Sequence, residues 1–176
     1  MNSAPSHGGS SSELRGSLPT VSEATWDRSH CSVAGTLAVV GEKWSLLILR
    51  ESFLGVRRFA DFQRILGAPR AVLTDRLSTL VHQELLVRVP YQAEGERQRH
   101  EYRLTAKGLD LYPTLVALME WGDRYLCDES PAPLELRHRG DCDAPVHLTL
   151  SCDAGHVLGS AREVRPVPRS TEVSSA

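Results

Sequence analysis

A chain of 176 residues, 41% hydrophobic and 24% charged, has room for one well-buried domain with tails, and its composition is that of an ordinary globular protein. A formal net charge of −2 excludes a protein that coats nucleic acid indiscriminately, and no apolar run approaches the roughly 18 residues that span a bilayer. Four cysteines, Cys31, Cys127, Cys142 and Cys152, are too few and too scattered for a disulfide scaffold; in a reducing compartment they read as thiols, metal ligands or redox sensors.

Residues 1–25 lack hydrophobic periodicity and are expected to be a disordered tail. They are rich in Ser and Gly and resemble neither a secretory signal nor a transit peptide, so the expected location is the cytoplasm, with no membrane partner. One domain is expected over 26–127. It opens with a short helix whose apolar positions Val33, Leu37 and Val40 recur about every 3.6 residues. A longer helix over about 42–53 is expected to bury Trp44, Leu47, Ile48 and Phe53, with Gly55 as its C-terminal cap. Two helices then flank a turn at Gly67-Ala68-Pro69. The first covers Phe59–Leu66; the second covers about 69–83 and carries Leu73, Leu77 and Leu80 on one face. Pro69 suits the first position of that helix, because its missing N–H has no intrahelical partner there.

Residues 86–89 and 100–104 read as strands joined by a turn with Gly95 at its middle, a basic hairpin after two short helices. Thr105 offers an N-cap for one last helix over about 106–126. Its stripe of Leu111, Leu115, Leu118, Trp121 and Tyr125 is wider than the rest of the domain can cover, so a second subunit is the expected cover. Beyond Cys127 the prolines multiply and helical period disappears. A small β appendage is expected over 128–165, with strands near 134–138, 146–150 and 156–158, then a disordered tail over 166–176. The fold class is therefore mainly α with a β-wing, a winged helix-turn-helix, plus a small β-rich C-terminal appendage.

The order of short motifs supports a family. Cys31-Ser32-Val33-Ala34, Gly41-Glu42-Lys43-Trp44-Ser45-Leu46-Leu47-Ile48-Leu49-Arg50, Gly55 with Arg58-Phe59, Leu73-Thr74-Asp75-Arg76-Leu77, Glu101-Tyr102-Arg103-Leu104-Thr105-Ala106-Lys107-Gly108 and Trp121-Gly122 together resemble the HxlR-type transcriptional regulators, over about 31–126. The resemblance implies a winged helix-turn-helix homodimer, related in architecture to the MarR group. It would bind a double-stranded DNA operator and repress or activate nearby genes in bacteria. In some members a cysteine at the position of Cys31 senses oxidants or electrophiles. The chain departs from the pattern at Ala71, where a Lys is usual, and at Glu84, where a Gly or another small or polar turn-former is usual. Glutamate disfavours the left-handed conformation, so a different helix ending is expected there.

Residues 57–107 hold ten basic side chains against six acidic ones, a local surplus on a chain of net −2, as suits a sequence-selective DNA binder. With the leucines inward, the second helix of the pair presents Arg70, Ala71, Thr74, Asp75 and Ser78 outward. Arg70 could read a guanine; Thr74 could touch a thymine methyl or a phosphate, and Ser78 a phosphate. Arg76 could hold a phosphate or pair with Asp61 or Asp75. Arg57 and Arg58 should lie near the DNA backbone, and Arg97 and Arg99 could enter the minor groove or brush phosphates, since Glu94 and Glu96 share their loop.

Cys31 begins the first helix beside His30; it reads either as a redox sensor, its thiol acidified by the helix N-terminus, or as a small packing residue at the dimer interface. His138, Cys142, Cys152 and His156 have H-x3-C and C-x3-H spacing. They could form a tetrahedral zinc site, with His147 competing, or belong to a metal-free β hairpin; no cofactor is required for the expected function. A small-molecule effector could sit between the last helix and the N-terminal helices. The runner-up function is a winged-helix protein-interaction module without sequence-specific DNA binding. A third reading is an enzyme, thiol-based around Cys31; against it stand the lack of a Ser/His/Asp order, of a phosphate-binding glycine loop and of a carboxylate pair in a plausible pocket, so no enzyme is expected.

Overall fold

The computed structural model describes residues 28–92, 98–127 and 132–167. The expected terminal tails and the tip of the hairpin, with Arg97, lie outside these or at their margins. Contacts divide the chain into two units, Ser29–Leu148 and Met1–Arg28 with Thr149–Ala176.

In the first unit, α1 (Ser32–Val40) and α2 (Lys43–Phe53) form where expected. The buried face of α2 is turned from the expected one. Ser45, Ile48 and Leu49 lose all exposure, while Trp44, Leu47 and Phe53 remain half-buried. Positions 45, 48 and 49 follow the i, i+3, i+4 rule, and the small Ser45 lets the helix lie close to its neighbours. Gly55, at φ +92°, closes the helix: its N–H bonds Ser52 O at 3.1 Å, and Val56 N–H bonds Glu51 O at 3.0 Å.

Helix α3 (Phe59–Leu66) has the expected bounds and ends at Gly67. Helix α4 covers Arg70–His82, so Pro69 stands at the N-cap and not at the first helical position as expected. Its φ of −55° and ψ of 137° set the sharp entry, because an extended residue before the helix turns the chain away from α3. Leu73, Leu77 and Leu80 are fully buried and meet Ile48, Leu49 and Phe62 in the core. Each such side chain contributes about 1.5–3 kcal/mol by leaving water.

The end of α4 corrects the reading of Glu84. Glu84 adopts φ +58°, and the helix closes as α2 does: Glu84 N–H bonds Val81 O at 3.0 Å, and Leu85 N–H bonds Leu80 O at 2.9 Å. Leu80 and Leu85, the pair that flanks such a closure, are both buried. That hydrophobic contact and the two hydrogen bonds hold a residue that would not choose this conformation alone.

Strands β1 (Leu86–Tyr91) and β2 (Arg99–Leu104) pair antiparallel, Leu86 opposite Leu104 and Tyr91 opposite Arg99. Thr105 caps the next helix, accepting from Gly108 N–H at 3.0 Å, and its hydroxyl donates to Glu84 O at 2.6 Å. The single helix expected beyond Thr105 is two: α5 (Ala106–Leu109) and α6 (Tyr112–Tyr125). Pro113 explains the break. It has no N–H for the Leu109 carbonyl, and its ring would crowd that oxygen in a continuous helix. Leu111, Leu115 and Val116 pack inward; Leu118, Trp121 and Tyr125 stay exposed.

The appendage has less strand than expected. In the first unit, where strands near 134–138 and 146–150 are expected, the described residues show a single bridge between Arg137 and Pro145, flanked by His138 N–H to Ala144 O and Val146 N–H to Leu136 O. Within the first unit, Leu148 N–H reaches Glu120 Oε1 of α6 at 2.9 Å. In the second unit, β3 (Leu150–Ser151) and β4 (Val157–Leu158) form a short hairpin.

Candidate nucleic-acid interface

The leucine stripe of α4 decides which of its side chains reach solvent. Arg70, Ala71, Thr74, Asp75 and Ser78 are all exposed, as expected. Arg76 is half-buried, and its Nε donates to Asp75 Oδ2 at 3.0 Å. Asp61 is taken instead by Arg64, at 3.2 Å. The Asp75 charge is thus partly neutralised on a face that would otherwise repel phosphates. The Thr74 hydroxyl donates to Arg70 O at 2.9 Å. Its hydrogen is used inside the helix, which leaves the methyl group and an oxygen lone pair facing outward.

Arg57 and Arg58 lie where α3 begins, with Arg58 as its N-cap. Arg57 O accepts from Tyr102 N–H at 2.8 Å, and Arg58 bridges Glu101, so this corner is stitched to the wing. Phe62 meets Tyr102 edge-on beneath it, ring centres 6.4 Å apart. Between the starts of α3 and α4 and the wing lies a notch of about 700 Å³. Arg58, Arg70 and Arg99, all expected at the interface, line it. So do Arg88, Tyr91 and His100, which the sequence reading did not place there. Arg88 sits opposite Tyr102 in the strand pairing, 5.8 Å from the ring centre. An arginine in a strand is an ordinary solvent-facing residue until the hairpin register is known, so no sequence signal marked it.

Cys31 is the N-cap of α1, half-buried, and its thiol makes no capping hydrogen bond. The other cysteine and histidine candidates form two local pairs. His138 Nδ1 lies 3.2 Å from Cys142 Sγ in the first unit, and Cys152 Sγ lies 3.5 Å from His156 Nδ1 in the second. His147 is drawn aside by Glu120, at 3.4 Å. Within either unit, no three metal-binding side chains gather among the described residues.

A family model described as HxlR-like helix-turn-helix matches residues 39–130, from the end of α1 past the end of α6. An uncharacterized HTH-type transcriptional regulator of Mycobacterium tuberculosis is 47% identical over 137 residues, which cover 78% of this chain and 85% of the relative. A Synechocystis protein with the same description is 35% identical over 101 residues, covering 57% of this chain and 73% of that one. Among solved structures, the candidate transcription factor PA1607 superposes with a TM-score of 0.71 at 38% identity, covering 81% of this chain and 97% of that one. A second candidate transcription factor, from Pseudomonas aeruginosa, gives 0.54 at 34% identity, covering 81% and 96%. No single helix among the described residues is long and apolar enough to cross a membrane. The winged helix-turn-helix, the solvent-facing side of α4 and these likenesses agree: the chain belongs to the HxlR-like helix-turn-helix family and is a DNA-binding transcriptional regulator, not an enzyme.

Proposed function

We propose that the protein binds a double-stranded operator as a homodimer, each α4 entering one of two successive major grooves about 34 Å apart with the wing against the flanking backbone. The observation that carries this reading is the face of α4 opposite its leucines, exposed along its length and bordered by the arginine-lined notch. Ala71, Thr74 and Ser78 are short, so they allow the helix axis close to the base edges, and the Thr74 methyl suits a thymine methyl. Pairing of two chains is supported by the apolar residues left uncovered on α1 and α6. Binding of the full chain to the region upstream of its own gene tests the reading, at fixed, stated salt. The expected result is an affinity about 10³-fold or more above that for an unrelated duplex. Equal affinity for the two, or none for either, overturns it and favours an interaction module.

A further inference from the structure

Arg50, Arg64, Arg76 and Arg103 each hold a neighbouring carboxylate, of Glu51, Asp61, Asp75 and Glu101 respectively. Arg58, Arg70 and Arg88 are held differently. Among the described residues none of the three has a carboxylate partner, and each guanidinium lies over an aromatic ring. Arg58 is 4.6 Å from the centre of Tyr91, Arg70 is 5.0 Å from Phe59, and Arg88 is 5.8 Å from Tyr102. All three line the one notch between the α3 and α4 starts and the wing, together with Arg99 and His100. The acid in its lining, Asp61, already carries Arg64.

Three cations that share a cavity without a carboxylate of their own repel one another, and an anion relieves that repulsion. A guanidinium held over a ring gives up part of its side-chain freedom while its N–H groups can still donate outward. That arrangement donates to the oxygens of a phosphate and loses little side-chain entropy in doing so. Two further details favour the sugar-phosphate backbone over a base edge. Arg70 lies back against Phe59 of α3, toward the notch, where a base-reading side chain would extend beyond its own helix. Tyr91 is the last residue of β1 and backs the N-cap residue of α3, so one ring couples the wing to the helix-turn-helix.

We propose that this notch is a clamp for one phosphodiester of the DNA backbone, with Arg58, Arg70 and Arg88 as its donors and Tyr91 as the residue that positions Arg58. The assignment rests on this face being the DNA surface. It moves Arg70 from base reading to backbone holding and adds Arg88 to the interface.

The test uses the full chain with two duplexes of equal length, one selected for tight binding from a random pool and one unrelated, titrated across a range of salt. Arg88→Ala is expected to weaken binding to both duplexes by a similar factor, roughly tenfold near 0.1 M salt, and to lower the log–log salt slope by about 1. Tyr91→Phe keeps the ring and should bind like the parent; Tyr91→Ala should weaken both duplexes alike. A cooperative melt of each variant confirms that it is folded. If selection from the pool yields no binder and the parent does not bind the unrelated duplex either, the DNA surface itself is misassigned and the clamp falls with it. If the parent binds and Arg88→Ala keeps both affinity and slope, the clamp alone is overturned. An Arg88→Ala change confined to the selected duplex also overturns it, because that is the signature of base reading.

Discussion

Glu84 sits in a left-handed backbone at φ +58°, in the same helix closure that Gly55 makes at φ +92° after α2. A side chain in that region costs about 1–2 kcal/mol, because Cβ crowds the following carbonyl. Glycine removes the crowding but loses about 0.5–1 kcal/mol more backbone entropy on folding. The first effect is the larger. Glu84 is exposed, and the Thr105 hydroxyl bonds its main-chain oxygen, which glycine keeps. Glu84→Gly should therefore stabilise the chain by up to about 1 kcal/mol and raise its thermal midpoint by a few degrees. A midpoint that stays or falls would show that the carboxylate does something the closure does not require. Glutamate's own preference points away from this conformation, and what overrides it, two hydrogen bonds and the Leu80–Leu85 contact, is not legible in the residue itself. The placing of Arg88 and Tyr91 at the notch is illegible on similar grounds, since it depends on what lies across the strand or over the ring.

Helices with one strong stripe were the most legible elements. Leu73, Leu77 and Leu80 could face only one way, and the outward side of α4 followed from them. The short turn Gly67-Ala68-Pro69, with Gly67 at φ +62°, marks the end of α3 just as firmly. Less legible was the last helix, because its apolar period runs on through Pro113 while the hydrogen bonding does not. The short α5 that results is set by contacts distant in sequence. Thr105 ties its start to the end of α4, Lys107 Nζ donates to Gln83 O at 2.8 Å, and Gly108 lies against the β1 entry. A Cβ at position 108 would collide with the Leu85 carbonyl oxygen and press on Leu104. Backbone cannot yield there without disturbing the α4 closure, so Gly108→Ala should destabilise the domain despite its better helix propensity. The expected loss is about 1–3 kcal/mol, read as a lower urea midpoint with an unchanged m-value. A gain of about 1 kcal/mol, the ordinary Gly-to-Ala effect in a helix, would mean that the packing at α5 is looser than the geometry indicates.

Assembly is where one chain's structure leaves the most apolar surface unexplained. On α1, Val33 and Leu37 are 68% and 57% exposed; on α6, Leu118, Trp121 and Tyr125 are 51%, 57% and 60% exposed. Spacings of four residues on α1 and of three and four on α6 put each set on one face of its helix, and Trp121 packs against Tyr125 with the rings tilted at 48° and 5.4 Å between centres. The excess on α6 was visible in sequence, because the stripe exceeds what two short helices and a hairpin can cover. The matching face of α1 was not, since the same spacing would suit a helix buried in its own domain. Two copies that join these faces would remove both from water and would set the two α4 helices in a fixed relation, as a dyad-symmetric operator demands. A carboxylate in the middle of such an interface meets its own symmetry mate, or apolar surface, without a partner. Trp121→Glu should therefore turn a dimer into a monomer in sedimentation experiments at micromolar protein, with α4 and the notch untouched. Operator affinity should then fall by several orders of magnitude, as two linked half-sites become one, while weak binding to unrelated DNA largely persists. A Trp121→Glu protein that still sediments as a dimer would place the interface elsewhere. One that is monomeric yet binds its operator undiminished would show that a single α4 suffices, and the paired-groove geometry would have to be given up.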